Sequence, residues 1–206
     1  MNKFFSKTAK MIFILFLSGC AATPVKPRHT NPFPQKIALL PLDNMAVDID
    51  ASMIMENLIE SYLDSAGFDL QDRKITYEKL NTIGISDGGQ LNSTTPQQLS
   101  KLLDVDALLY GEVREFNNQN IGVYYSRTVE VYIKMVDGKT GEMLWETTTR
   151  KSNSKLGLSK ETALNNIKSG YAQKAMEAIM KSPLKEEADE VARRIAKELS
   201  RFRRDW

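Results

Sequence analysis

Residues 127–136, RTVEVYIKMV, constrain the fold of this 206-residue chain more than any other stretch. Val129, Val131, Ile133 and Met135 alternate with Glu130, Tyr132 and Lys134. Such alternation sends successive side chains to opposite faces, so the segment predicts a strand with one face in a core and the other in water. Asp137-Gly138-Lys139-Thr140-Gly141 follows as a turn with glycine where positive φ is needed, and Glu142 to Arg150 supplies the antiparallel partner. Ala107 to Phe116 starts as a continuous apolar run and becomes alternating, as a strand leaving a core does. Asn117 to Asn120 is polar and reads as a protruding loop between the two strands.

Upstream, Ile37 to Leu42 (IALLPL) predicts a strand buried on both faces, with Pro41 marking its exit. Asp48 or Asp50 can cap a helix from Ala51 to Ala66, in which Ile54, Leu58, Tyr62 and Ala66 recur at helical spacing and Gly67 follows as a stop. Phe68 to Gln71 reads as a short strand and Tyr77 to Leu80 as a helical turn. Residues 81–94 carry three glycines and little periodicity, which predicts a surface loop. Thr95-Pro96-Gln97-Gln98 has the residue types of a capping box, with Leu99, Leu102 and Leu103 as the apolar face of the helix it starts. Two helices are expected at the end, one from Ser159 to about Lys181 and one begun by Ser182-Pro183. In the second, Leu184, Ala188, Val191, Ile195, Leu199 and Phe202 line one face, with acids at its start and bases at its end, as the helix dipole favours. The order β-α-β-α-β-β-β with two C-terminal helices implies an α/β fold: a mixed sheet flanked by helices.

The first nineteen residues stand apart. Lys3, Lys7 and Lys10 precede an apolar run, Met11 to Leu17, too short to span a bilayer as a helix, and Leu17-Ser18-Gly19-Cys20 follows. That ending resembles the lipobox of bacterial lipoproteins. The resemblance implies a signal peptide over 1–19 and acylation, palmitate included, of Cys20 as the first mature residue. Cys20 is the only cysteine, so no intrachain disulfide can form. Ala21, where an aspartate would favour retention, implies release to the periplasmic face of the outer membrane. Residues 20–36 contain Pro24, Pro27, Pro32 and Pro34 and read as a semi-rigid tether. Without the signal, 25 basic residues face 26 acidic ones. Nucleic acid, which requires a sustained positive surface, is therefore not an expected partner.

Four segments carry a wider resemblance: KIALLPLDN at 36–44, Asp72-Arg73, ALLYGEV at 107–113 and VDGKTGEMLW at 136–145. Over about residues 37–151 the chain is similar to lipoproteins with a domain like the N-terminal domain of TolB or like CsgG, including the group of a neisserial TolB-like lipoprotein antigen. The remaining residues, 152–206, would be the C-terminal helices. The resemblance implies a role in building or supporting envelope or secretion machinery. A pore built by this chain is not expected, because Glu112, Arg114, Glu115, Glu130 and Lys134 suit water better than lipid.

The inventory for catalysis is thin. His29, the only histidine, lies in the tether, so Cys/His metal sites and Ser-His-Asp triads lack their parts. Asp104 and Asp106 flank a strand start and read first as a solvated loop; Asp87-Gly88-Gly89 lacks the further ligands of a calcium loop and the Lys-Ser/Thr of a phosphate loop. Trp145, Tyr132, Tyr124 and Tyr125 offer either a contact surface or ordinary cross-strand packing. The basic end of the last helix suits a solvated helix, anionic headgroups or a partner. The expectation is a non-enzymatic adaptor or assembly component with no cofactor and no metal. It is held to outer-membrane lipid through Cys20, meets periplasmic or envelope proteins, and self-associates through a sheet edge or its terminal helices. The alternative is an LpoB-like activator of a periplasmic cell-wall synthase.

Overall fold

Three long strands dominate the sheet: β4 (Ala107–Ile121), β5 (Tyr124–Asp137) and β6 (Met143–Leu156) form an antiparallel meander. The computed structural model describes residues 31–121, 124–156 and 184–206, and the fold belongs to the unit Pro32–Trp206. The signal peptide, Cys20, most of the tether and the expected helix 159–181 lie outside the described residues. Ahead of the meander, β1 (Lys36–Leu39), β2 (Asp43–Asn44) and β3 (Asp69–Leu70) are short and parallel to their neighbours. The sheet order is β3-β1-β4-β5-β6, and β2 pairs with β4 beyond the end of β1. The sheet is mixed, as expected.

Helices α1 (Ala51–Ser65) and α4 (Lys185–Asp205) cover one face. Helices α2 (Arg73–Asn81) and α3 (Pro96–Leu103), with a 3-10 turn at Gly88–Ser93, cover the other at the β1 end. Alternation explains the split. Ile37, Leu39, Leu109, Val131, Ile133 and Met135 pack toward α1 and α4, while Ala38, Leu40 and Leu108 meet Leu80, Leu99 and Leu103 on the opposite side. Fully burying such a side chain contributes about 1.5–3 kcal/mol, so the larger cluster carries most of the stability.

Several expectations shift. Asn117 to Asn120 is not a loop: its residues continue β4 in register with Tyr125 to Thr128 of β5. A β-ladder satisfies polar backbone whatever the side chains are, so polarity alone did not end the strand. β6 likewise runs past Arg150, its expected end, to Leu156. The deep stripe of α1 is Met55, Ile59 and Leu63, and Ile54, Leu58 and Tyr62 flank it half-buried. Asp72 starts a longer α2 than the single turn expected, its carboxylate accepting from the Ile75 N–H at 3.1 Å. The 81–94 stretch is not all surface, because Ile85 and Leu91 are buried in the smaller cluster. In α4, Leu184 rather than Ser182 stands at the N-cap, with no side-chain cap bond. Its apolar face is as expected from Leu184 to Phe202, and the Thr95–Gln98 capping box forms with both its bonds.

Candidate functional site

Between β2 and α1 the chain makes a loop whose shape is set by one side chain. The Asn44 amide donates to the Asp48 carbonyl at 2.8 Å and to that of Ile49 at 3.4 Å, while its Oδ1 accepts from the Ala46 N–H at 3.0 Å. Asp48 then accepts from the Asp50 N–H at 3.0 Å. Asn and Asp side chains hold turns in this way because they reproduce backbone hydrogen bonds locally. Asp50 sits at the N-cap of α1 without a side-chain cap bond, so the carboxylate that shapes the loop is that of Asp48.

What the pinned loop displays is unusual. Val47 is 98% exposed, Ile49 86%, Met45 64%, and Met53 on the first turn of α1 55%. Large apolar side chains scattered singly on a surface need no explanation, whereas these four fall within the short stretch from Met45 to Met53.

The base of the loop is rigid. Glu56 on α1 is nearly fully buried, accepting from the Leu42 N–H at 2.9 Å and from the Tyr77 hydroxyl at 2.8 Å. Arg73 lies 3.9 Å from the same carboxylate and 3.4 Å from Glu60. Burial pushes the Glu56 carboxyl above its ordinary value, against the pull of the Leu42 and Tyr77 hydrogen bonds. Burial, together with the bond to Glu56, also raises the Tyr77 phenol, so it stays a donor. Gly88 presses on the same strand end: a Cβ there would lie 2.2 Å from the Asp43 nitrogen.

The other sequence candidates resolve into structure. Asp106 accepts from the Gln35 and Lys36 N–H groups, each at 3.1 Å, and clamps the entry to β1. Asp104 takes a left-handed conformation, φ 62°, at the end of α3. Asp87 precedes the 3-10 turn without a side-chain cap bond. Asp137 pins its hairpin turn, accepting from Lys139 N–H at 2.8 Å, Thr140 N–H at 2.7 Å and the Thr140 hydroxyl at 3.1 Å. Partial burial works against the Asp137 charge, but these hydrogen bonds outweigh it and lower the carboxyl below its ordinary value.

The expected aromatic group does not gather. Trp145 lies on the helix-covered face, stacked on Phe202 at 6.4 Å, whereas Tyr132 points to the open face, under Arg114 and donating to Glu146 at 2.7 Å. Tyr125 is beside Arg127 at the far end of the strand, and the side chain of Tyr124 lies outside the described residues.

Among the described residues no group of three His, Cys, Asp or Glu is placed to hold a metal ion, and no helix is long and apolar enough to cross a membrane. Two open clefts among the described residues have charged and polar side chains in their lining. One of about 450 Å³ is lined by Glu60, Asp72, Arg73 and Tyr77, another of about 620 Å³ by Lys36, Lys101, Asp104 and Lys139. Neither is the enclosed apolar pocket a small molecule prefers.

Composition gave no direct sign of the pinned loop. The sequence signal available was Met45, Val47 and Ile49 at alternate positions after Asn44, with Asp48 and Asp50 among them offering themselves as helix caps.

A mixed sheet with helices on both faces is an α/β fold that known proteins share. The crystal structure of lipoprotein GNA1162 from Neisseria meningitidis matches with a TM-score of 0.55 at 21% identity, covering 72% of this chain and 96% of that one. The chain belongs to the family described as "Putative lipoprotein GNA1162-like", whose profile matches residues 28–203. It is also 22% identical over 136 residues, 64% of its length, to "Putative lipoprotein NMB1124/NMB1162" of Neisseria meningitidis serogroup B. The chain spans 63% of the length of that curated relative. A weaker likeness, to the C-terminal domain of LpoB from Escherichia coli, has a TM-score of 0.40 at 14% identity over 58% of this chain and 83% of that one.

Proposed function

We propose that this protein is an acyl-anchored lipoprotein of the outer membrane, facing the periplasm, that works by protein contact and not by turnover. Cys20 carries the acyl chains, residues 20–36 are the tether, and the domain is of the TolB-like and CsgG-like class, serving as adaptor or assembly component in envelope machinery. Membership in a lipoprotein family and the Leu17-Ser18-Gly19-Cys20 sequence support the anchor. Each buried methylene of an acyl chain adds about 0.8 kcal/mol, and a second chain turns marginal binding into firm attachment.

The observation that carries the contact reading is the pinned loop: the chain fixes Met45, Val47 and Ile49 in water with the Asn44 side chain. Water penalises such exposure unless another surface covers it for part of the time. Mass spectrometry of the chain isolated from envelopes tests the anchor. The expected N-terminal peptide starts at Cys20 with added acyl mass, and Cys20→Ser leaves the membrane fraction. An unmodified Cys20 peptide, or membrane-bound Cys20→Ser protein, contradicts it.

A further inference from the structure

The charge around the loop limits what can cover it. From Ile37 to Met55 the sequence holds three carboxylates, Asp43, Asp48 and Asp50, and no lysine or arginine. Asp48 and Asp50 are exposed beside Val47 and Ile49. An anionic lipid surface is repelled by such a rim. The fitting partner combines apolar or aromatic surface with positive charge.

This molecule carries such a surface. From Arg193 to Arg204 there are six basic residues and one acid, and Arg194, Lys197, Arg201 and Arg204 are exposed. Beside them, half-buried, lies an aromatic group. Trp206 meets Phe202 at 5.2 Å and Phe33 at 5.6 Å, and Phe202 stacks on Trp145 at 6.4 Å. Methionine against aromatic edges is favourable, so Met45 and Met53 suit this surface as well as the carboxylates suit its arginines.

One chain cannot bring its own two surfaces together. The apolar loop precedes the first residue of α1. The end of α4 is fixed at the other end of that helix, where Arg203 donates to the carbonyls of Gly67 and Ala66, each at 2.8 Å. The fifteen residues of α1 hold them about 22 Å apart. We propose that the Met45–Met53 loop of one copy docks on the aromatic and basic end of α4 of a second copy, head to tail. The proposal rests on the contact reading above and names its partner. Different patches meet, so each copy keeps one half of the contact unused. Attachment of the copies to one membrane raises their effective concentration and lets a small interface work.

Cross-linking in intact envelopes tests this on the full chain. The natural sequence has Cys20 alone, so new cysteines are unambiguous. Val47→Cys and Arg204→Cys are placed on two differently tagged copies, expressed together and treated with a short bismaleimide. Both positions are exposed, so neither substitution disturbs packing. The expected product is a dimer joining the two tags, at least fivefold more abundant than any dimer from Val47→Cys alone, and reduced at least fivefold by Arg201→Glu in the Arg204→Cys copy. No dimer joining the tags, an equal dimer from Val47→Cys alone, or indifference to Arg201→Glu overturns the proposal. So does Val47→Cys joining only a different protein, although the contact reading survives that result. Reaction of the unsubstituted chain through Cys20 contradicts the acyl anchor, while the tag pairing still decides the contact.

Discussion

The loop at Asn44–Asp50 and the hairpin turn at Asp137–Gly141 are built alike and present opposite chemistry. In each, one short polar side chain is hydrogen-bonded to the next few residues and holds the backbone: Asn44 donates to the Asp48 and Ile49 carbonyls and accepts from the Ala46 N–H, and Asp137 accepts from Lys139 and Thr140. The turn shows water Lys139 and Thr140, the side chains expected of a surface connection. The loop shows water Met45, Val47 and Ile49. A turn needs only to reverse the chain, and its polar display fits that task. Hydrogen-bonded backbone and exposure are common to both, so the apolar display is the feature that sets the loop apart.

The largest effect expected from breaking this comparison comes from beneath the loop. Gly88→Ala drives a Cβ into the Leu42–Asp43 backbone, which cannot swing aside as a side chain can. It should cost about 3 kcal/mol in denaturant unfolding, with docking lost and the hairpin turn unaffected.

Next is the buried carboxylate. Glu56→Ala leaves the Leu42 N–H and the Tyr77 hydroxyl without their acceptor and should cost about 2–3 kcal/mol. Glu56→Gln separates charge from shape. The folded carboxyl titrates above its ordinary value of 4.5, so protonation favours the folded state. Its stabilisation is complete below the unfolded value and declines as pH rises through the folded value. The glutamine variant lacks that decline. Unfolding curves should therefore show it gaining on the natural protein as pH rises above the ordinary value of 4.5, and a constant gap would contradict the assignment.

The two pinning residues form the matched pair. Asn44→Ala and Asp137→Ala should each cost about 1 kcal/mol, and only the first should weaken docking. They differ in pH dependence too. The Asp137 carboxyl titrates below its ordinary value, so its contribution is present at neutral pH and is lost as acid protonates it. Stability of the Asp137→Ala variant should thus converge on that of the natural protein in acid, and Asn44→Ala should show no such convergence.

The smallest effect on stability is expected where the effect on function is greatest. Val47→Asp places a charge on a side chain that is 98% exposed, so its unfolding free energy should stay within about 0.5 kcal/mol of the natural value. Docking should nevertheless be abolished. A large loss of stability would mean that the loop packs against its own chain.

The same contrast explains what could be read from the sequence. The meander, its turn, the Thr95 capping box and the apolar face of α4 are local patterns of period two or period 3.6, and each is present. The reach of β4 through Asn117 to Ile121 was hidden, because polar side chains at a strand end say nothing of the ladder their backbones join. Glu56 was hidden for a different reason. Only the approach of the Leu42 backbone and Tyr77 from distant parts of the chain turns an ordinary helix glutamate into a buried acceptor. Met45, Val47 and Ile49 were in plain view. Their alternation, however, does not distinguish a strand edge from a displayed loop until Asn44 is seen holding the backbone.

A photoreactive amino acid at Val47 in the full-length chain in living cells, with a second at Thr140 as the matched control, tests the central claim most directly. The account predicts a protein adduct from position 47 that is reduced by Asn44→Ala, and none from position 140. Labelling of lipid alone at position 47, or equal protein adducts from both positions, would contradict it.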